Sequence, residues 1–146
     1  MNLSPNFTLD EFVRSDTADR EGIDNTPNNA VINNLRRVAY TLEIVRLVFD
    51  SPIYISSGYR CLYLNRAVGS DDTSKHMDGL AVDFNIAGYT PEESVDQIRT
   101  IVGFNTLIQE FGRWVHLDLS SDLSSNLNNT VLLAHLVNGE THYTEI

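Results

Sequence analysis

Ser74-Lys-His76-Met-Asp-Gly79-Leu-Ala81-Val-Asp83-Phe-Asn-Ile86 is the stretch on which the fold turns. Its second half, Leu80 to Ile86, has the apolar, partly alternating pattern of a buried strand, and Gly88 and Tyr89 turn the chain away from it. Its first half reads as a loop. His76 and Asp83 are seven residues apart, which on one helix would separate them by about 10 Å, too far to share an ion. A loop ligand joined through Gly79 to a strand ligand can converge instead. With His116 from the later Trp114-Val-His116, the chain offers two imidazoles and one carboxylate that could close on a single zinc ion. A catalytic zinc commonly keeps three such ligands and leaves its fourth position to water, whose pKa then falls to about 7. Taken without their neighbours, His76 is an exposed loop histidine and His116 a half-buried strand residue, so spacing is a weak signal by itself.

Working outward, Thr8-Leu-Asp-Glu11 is a capping box that predicts a short helix. A polar stretch from Ser15 to Thr26 follows. Pro27 suits the first turn of a long amphipathic helix whose apolar stripe is Val31, Leu35, Val38, Leu42, Val45 and Val48, with Arg36, Arg37, Glu43 and Arg46 on the wetter side. Asp50-Ser-Pro52 ends it, and Ile53-Tyr-Ile55-Ser reads as a strand. Thr90-Pro-Glu-Glu93 opens another helix with Val95, Ile98 and Val102 inward. Thr106 to Phe111 and Trp114 to Leu119 form a predicted hairpin around Gly112-Arg113, which brings Glu110 near His116. After a polar loop over 120–129, a second hairpin, Val131 to Val137 and Glu140 to Ile146, turns at Asn138-Gly139 in a type I′ turn. Helices first, then strands mixed with helices, predict an α+β fold: one domain over 1–146, with an antiparallel sheet packed against N-terminal helices.

Composition bounds the function. The chain has 146 residues, 42% of them apolar, enough for one core that buries about two thirds of the unfolded surface. Its formal charge of −10 disfavours nucleic acid as a partner. No apolar run approaches the roughly 18 to 20 residues of a membrane span, so no membrane insertion is expected, and Met1-Asn2-Leu3-Ser4-Pro5 lacks the pattern of a signal peptide. Cys61 is the single cysteine, which excludes an internal disulfide and a multi-thiolate zinc site and leaves a small filler residue. His135 and His142 lie in the terminal hairpin, where a structural role is expected.

Several motifs in one order alter the weight of the histidines. Ile55-Ser-Ser-Gly-Tyr-Arg60, Leu64-Asn65, Val68-Gly69, Ser74-x-His76-x-x-Gly79-x-Ala81-x-Asp83 and Trp114-Val-His116 resemble the zinc D-alanyl-D-alanine carboxypeptidase family of peptidases (family M15), most closely its single-domain phage endolysin-type and bacterial members. Phe7 to Phe12 and Gly22-Ile-Asp-Asn25 extend the resemblance over roughly the first 120 residues, and the hairpin at about 130–146 is outside it. The resemblance implies a hedgehog-like zinc fold in which His76, Asp83 and His116 hold one Zn²⁺ ion.

A zinc site that cleaves an amide also needs a base. Glu110, six residues before His116, matches the acid preceding the last histidine in some relatives of this fold, whereas other members carry an acid three residues before it, where this chain has Arg113. Glu110 is therefore the expected general base for a zinc-bound water nucleophile. The alternatives are a solvated carboxylate paired with Arg113, or Asp118 as base; Asp118 shares a sheet face with His116 and equally suits a hydrogen bond to it. The resemblance gives Arg60 the substrate carboxylate or the developing oxyanion, against a structural ion pair. Ser74 either binds substrate or shapes its loop. Asp71 and Asp72 depart from the family's usual Val-Gly-Gly opening and would add negative charge beside the cleft.

The resemblance implies a metallopeptidase that cuts the peptide stems of bacterial peptidoglycan, as a D,D-carboxypeptidase or an endopeptidase of the endolysin type. Such a monomer would be made in the cytoplasm of a bacterial or phage-infected cell and act on the wall after release or from a virion. The competing reading is a noncatalytic zinc domain that binds the cell wall or serves in a virion.

Overall fold

The computed structural model describes residues 1–122 and 128–146; 123–127, the middle of the expected polar loop, lie outside the described residues. Two short strands, β1 (Asn2–Ser4) and β2 (Phe7–Thr8), pair antiparallel and lead into helix α1 (Leu9–Val13), where the Glu11 carboxylate accepts from the Thr8 amide at 2.7 Å. Helix α2 (Asp16–Glu21) follows within the stretch that reads as merely polar. It is capped by the Ser15 hydroxyl and by left-handed Gly22, and it buries Ala18 alone, so it leaves no apolar period to read.

Helix α3 (Asn29–Phe49) is the long amphipathic helix. Its cap is Asn28, whose side-chain oxygen accepts from the Val31 amide at 2.9 Å, so Pro27 stands before the cap and not in the first turn. Its buried stripe runs Val31, Leu35, Val38, Ala39, Leu42, Val45 and Phe49. Val48, expected inside, is 51% exposed: the step of four from Val45 keeps the last turn facing the sheet, and a step of three rotates the side chain out.

The main sheet has six strands in the order β3-β4-β6-β5-β7-β8: β3 (Ile53–Ser57), β4 (Ala81–Ile86), β6 (Trp114–Asp118), β5 (Thr106–Glu110), β7 (Thr130–Val137) and β8 (Glu140–Glu145). Helix α4 (Leu62–Ala67) and a 3₁₀ turn (Lys75–Asp78) lie between β3 and β4, and α5 (Pro91–Ile98) lies between β4 and β5. Thr90 caps α5 through the predicted reciprocal bonds with Glu93. The α+β class is as read from the sequence, but the sheet is mixed. β7 runs parallel to β5, because the chain leaves β6 at one end of the sheet and re-enters beyond β5 at that same end. The Asn138-Gly139 turn is as expected, both residues at positive φ, the requirement of type I′; the expected Gly112-Arg113 turn is one residue longer, β5 ending at Glu110 opposite Trp114 with Phe111 and Gly112 in the left-handed region.

Alternation divides the sheet into two faces. Val82, Phe84, Leu107, Val115, Leu117 and Val131 point into one core with the α3 stripe and with Val95 and Ile98 of α5. Leu35 and Leu42 are fully enclosed there, so truncating either to alanine would cost about 2–5 kcal/mol. The intervening residues Asp83, His116, Ile108 and Glu110 stand on the opposite face, where they line an open cleft.

Candidate metal centre

Register brings two of the three expected ligands together. Asp83 of β4 and His116 of β6 are direct cross-strand partners, so their side chains leave the sheet side by side. The third arrives from the 3₁₀ turn, which Ser74 caps with its hydroxyl and left-handed Gly79 terminates. Gly79 also permits a close approach: a Cβ there would lie 2.8 Å from both Cγ1 and the carbonyl oxygen of Val31. His76 is thereby pressed inward and is 3% exposed, not an exposed loop residue. One donor atom from each of His76, Asp83 and His116 falls within 4.8 Å of the others, a group that could hold a metal ion.

Outer partners decide which ring nitrogens face that point. His76 Nδ1 lies 2.6 Å from the Gly58 carbonyl oxygen; a carbonyl only accepts, so Nδ1 carries a proton and Nε2 turns towards Asp83, 3.4 Å from its Oδ2. His116 uses its nitrogens the other way round. Nε2 donates to Asp118 Oδ2 at 2.7 Å, and Nδ1 faces Asp83 Oδ1 at 3.0 Å. Asp118 is itself fixed by Asn105 Nδ2 at 3.0 Å and by Lys75 Nζ at 3.6 Å. A carboxylate on the far nitrogen of a ligating histidine sets its tautomer and raises its basicity.

The electrostatics suit a cation. Burial opposes the ionised form of Asp83, but hydrogen bonds from His116 and His76 outweigh it and hold the carboxyl well below the usual range. Burial likewise opposes a charged His116, yet its bonds to Asp118 and Asp83 raise it to about 9. Without a metal, His116 thus carries a proton where a metal would attach. Two imidazole nitrogens and a carboxylate oxygen form an ordinary zinc donor set, and this chain provides them convergent, oriented from behind and lodged in a cleft.

That cleft is open, with a volume of about 400 Å³. Glu110 and Trp114, a cross-strand pair, line it together with the metal group. Burial pushes the Glu110 carboxyl above its ordinary value, His116 pulls it down, and Asp83 adds a smaller upward push. Among the described residues Glu110 makes no ion pair. Arg113, its expected alternative partner, borders a separate depression with Gln109, Leu133 and His135. Asp118 is absent from the cleft wall, its carboxylate turned to the back of His116.

On the opposite wall, Arg60 is held without a carboxylate among the described residues. Its Nε donates to Asn65 Oδ1 at 3.1 Å, and its terminal nitrogens meet the hydroxyls of Ser57, Ser70 and Ser74 at 3.5 Å each. Burial lowers its pKa while Asp83 pulls it up. Ser74 does two things, accepting from the His76 amide at 3.3 Å and bordering the cleft beside Arg60. The acids of the preceding loop are turned elsewhere. Asp72 pairs with Arg66 at 2.8 and 3.1 Å, Asp71 closes a turn onto Thr73 at 2.6 and 2.7 Å, and neither lines the cleft. The expected negative charge beside the site is therefore already engaged.

Sequence reasoning passed over Asn105, Lys75, the Gly58 carbonyl and Tyr143. Asn65, fully buried, joins Arg60 to the Asp71 carbonyl. Tyr143 of β8 lines the cleft. Its place follows from the parallel β5–β7 pairing, which no local pattern announces. Cys61 caps α4 through its backbone, its amide donating to Asn25 Oδ1 at 2.8 Å, and His135 and His142 lie away from the cleft.

A model of the peptidase M15 family matches residues 5–118, from just before β2 through β6. No curated protein matches the chain.

Proposed function

Because the chain belongs to the M15 peptidase family, whose members are zinc-dependent in general, we propose that it is a zinc peptidase cutting amide bonds in the peptide stems of bacterial peptidoglycan, as a D,D-carboxypeptidase or an endopeptidase. One observation carries the reading: three zinc-type donors converge in a cleft that also holds the Glu110 carboxylate and the Arg60 guanidinium, neither of them in an ion pair among the described residues.

His76, Asp83 and His116 would hold the ion, which when bound supplies the Lewis acidity that polarises an amide carbonyl and acidifies water. The Gly58 carbonyl and the Asp118 carboxylate keep the two imidazoles aimed inward. Glu110 takes the proton from the attacking water and delivers it to the amide nitrogen as the carbon–nitrogen bond breaks. Its raised pKa suits both halves of that task, since a more basic carboxylate accepts the proton more readily and holds it until the amine leaves. Arg60 offers N–H groups to the oxyanion or to a substrate carboxylate, and Asn65 with three serine hydroxyls fixes the direction of the fork. Asp118 acts through His116 and moves no proton of the substrate.

Glu110→Gln tests the assignment because it keeps the shape and the metal ligands while removing the base. The expected result is one zinc per chain and no amine released from peptidoglycan, with wild-type protein releasing amine and losing that activity to a chelator. A zinc-loaded wild-type protein that releases no amine from any peptidoglycan overturns the enzyme in favour of a binding domain. Mass spectrometry of the released muropeptides identifies the bond.

A further inference from the structure

The terminal hairpin lies beyond residues 5–118, yet it supplies one end of the cleft. Trp114, Glu110, Ala134 and Tyr143 stand in one cross-strand row over β6, β5, β7 and β8, all on the site face. Two strand spacings, about 10 Å, separate the backbones at Glu110 and Tyr143. The residue between them is alanine, 1% exposed, so no bulky side chain rises from β7 to part them, and both border the same cavity. Tyr143 is itself 55% exposed, which leaves its ring and hydroxyl free to meet a ligand. Burial and then the charge of Glu110 push the phenol upward, so its hydroxyl stays a donor at neutral pH.

The cleft thus has unlike ends. Arg60 stands at one and Tyr143 at the other, with the His–Asp–His group and Glu110 between them. We infer that Tyr143 is a substrate-positioning residue: its ring packs on the peptide stem beyond Glu110, and its hydroxyl donates to a backbone carbonyl of that stem. Glu110 beside it repels a carboxylate, so a neutral amide oxygen is the acceptor that fits. The inference rests on reading the cleft as a peptidase site, and it adds a prediction about substrate length. His116 and Tyr143 are three strand spacings apart across the sheet and two residues apart along it, about 16 Å in all, of which the tyrosine ring spans part. An extended peptide advances roughly 3.3–3.6 Å per residue. A dipeptide centred on the metal group stops short of Tyr143, whereas a stem with about three residues on that side reaches it.

The test uses zinc-loaded full-length protein, with Tyr143→Phe and Tyr143→Ala compared on a full stem peptide and on a dipeptide cut from it. Tyr143→Ala should raise KM for the full stem three- to tenfold with kcat within twofold, Tyr143→Phe should give a smaller rise, and neither should alter hydrolysis or inhibition by the dipeptide. His142→Ala, on the other face of β8, serves as the control for an intact hairpin and should leave all values unchanged. Unchanged KM for the full stem, or an equal loss on both substrates, overturns the inference. If wild-type protein cleaves nothing, the peptidase reading fails by itself. The role of Tyr143 is then read from the stem-peptide Kd of Glu110→Gln against Glu110→Gln/Tyr143→Ala, where a three- to tenfold weakening upholds it and equal affinities reject it.

Discussion

The chain holds two pairs of neighbouring histidines, and among the described residues only one pair belongs to a group that could hold a metal ion. His76 and His116 have ring centroids 5.3 Å apart at 62°, and Asp83 lies against both. His135 and His142 are almost as close, 6.2 Å apart at 32°, on facing positions of the terminal hairpin. The first pair is enclosed and each ring is bonded from behind, by Gly58 and by Asp118. The second sits on an outer hairpin, where His135 bonds the Thr144 hydroxyl and, among the described residues, no carboxylate joins it. Imidazole proximity is common in paired strands; a third donor, burial and outer partners that fix the tautomers are what distinguish a metal site.

Removing the third donor should erase the difference between the pairs. Asp83→Asn takes away the anionic ligand from between two imidazoles, and zinc binding and peptidase activity should fall by at least about a thousandfold, as measured by zinc titration and amine release. An Asp83→Asn protein that binds zinc as wild type does would break the comparison. Asp118→Asn probes the outer partner alone. Ligand geometry survives but the Nε2 bond of His116 weakens, so metal affinity or activity should drop about 10–100-fold; a loss as deep as that of Glu110→Gln with zinc retained would instead make Asp118 the base.

The expectations for Asp118 show how far the sequence could be read. Its placement on the same face as His116 follows from strand alternation. Its choice of the far nitrogen depends on Asp83 already occupying the near one, and the Asp83–His116 register joins strands separated by α5 and β5. Local pattern reveals turns, caps and faces: Thr90, Asn138-Gly139 and the Val31-to-Val45 stripe all lie where expected. It does not reveal which strands become neighbours, and so the parallel β5–β7 pair, the Tyr143 wall and the bonds from Asn105 and Lys75 escaped it. Asn28 and Phe49 were lost to rival signals one residue away, Pro27 and Val48, which satisfied the same rules of capping and spacing.

The acid–base state of His116 offers a third contrast. Its folded-state pKa of about 9 stands above the ordinary 6.5, so its protonation stabilises the metal-free protein fully below pH 6.5, and that contribution disappears as the pH rises to about 9. Denaturant midpoints of chelated protein should therefore decline between pH 6.5 and 9, by at most about 3 kcal/mol in unfolding free energy. Zinc competes with that same proton, so apparent zinc affinity should climb with pH across the window. A flat stability profile would contradict the Asp83–His116–Asp118 arrangement.

Gly58→Ala acts on the first pair from behind. A Cβ there would collide with the backbone carbonyl oxygen of Phe12, and the resulting shift would carry the Gly58 carbonyl off His76. Overpacking of this kind costs about 1–3 kcal/mol, read as a lowered melting temperature, with weakened zinc binding alongside. Smallest of all, His135→Ala should change stability by about 0.5 kcal/mol or less and leave zinc untouched, as for ordinary surface positions.

Native mass spectrometry of zinc-reconstituted wild type, Asp83→Asn and the His135→Ala/His142→Ala double variant compares the two pairs in one measurement. One zinc per chain in the wild type and in the double variant, and none in Asp83→Asn, is the predicted outcome. A wild-type chain without zinc, or zinc that persists in Asp83→Asn and departs with His135 and His142, would contradict the assignment of the metal centre to His76, Asp83 and His116.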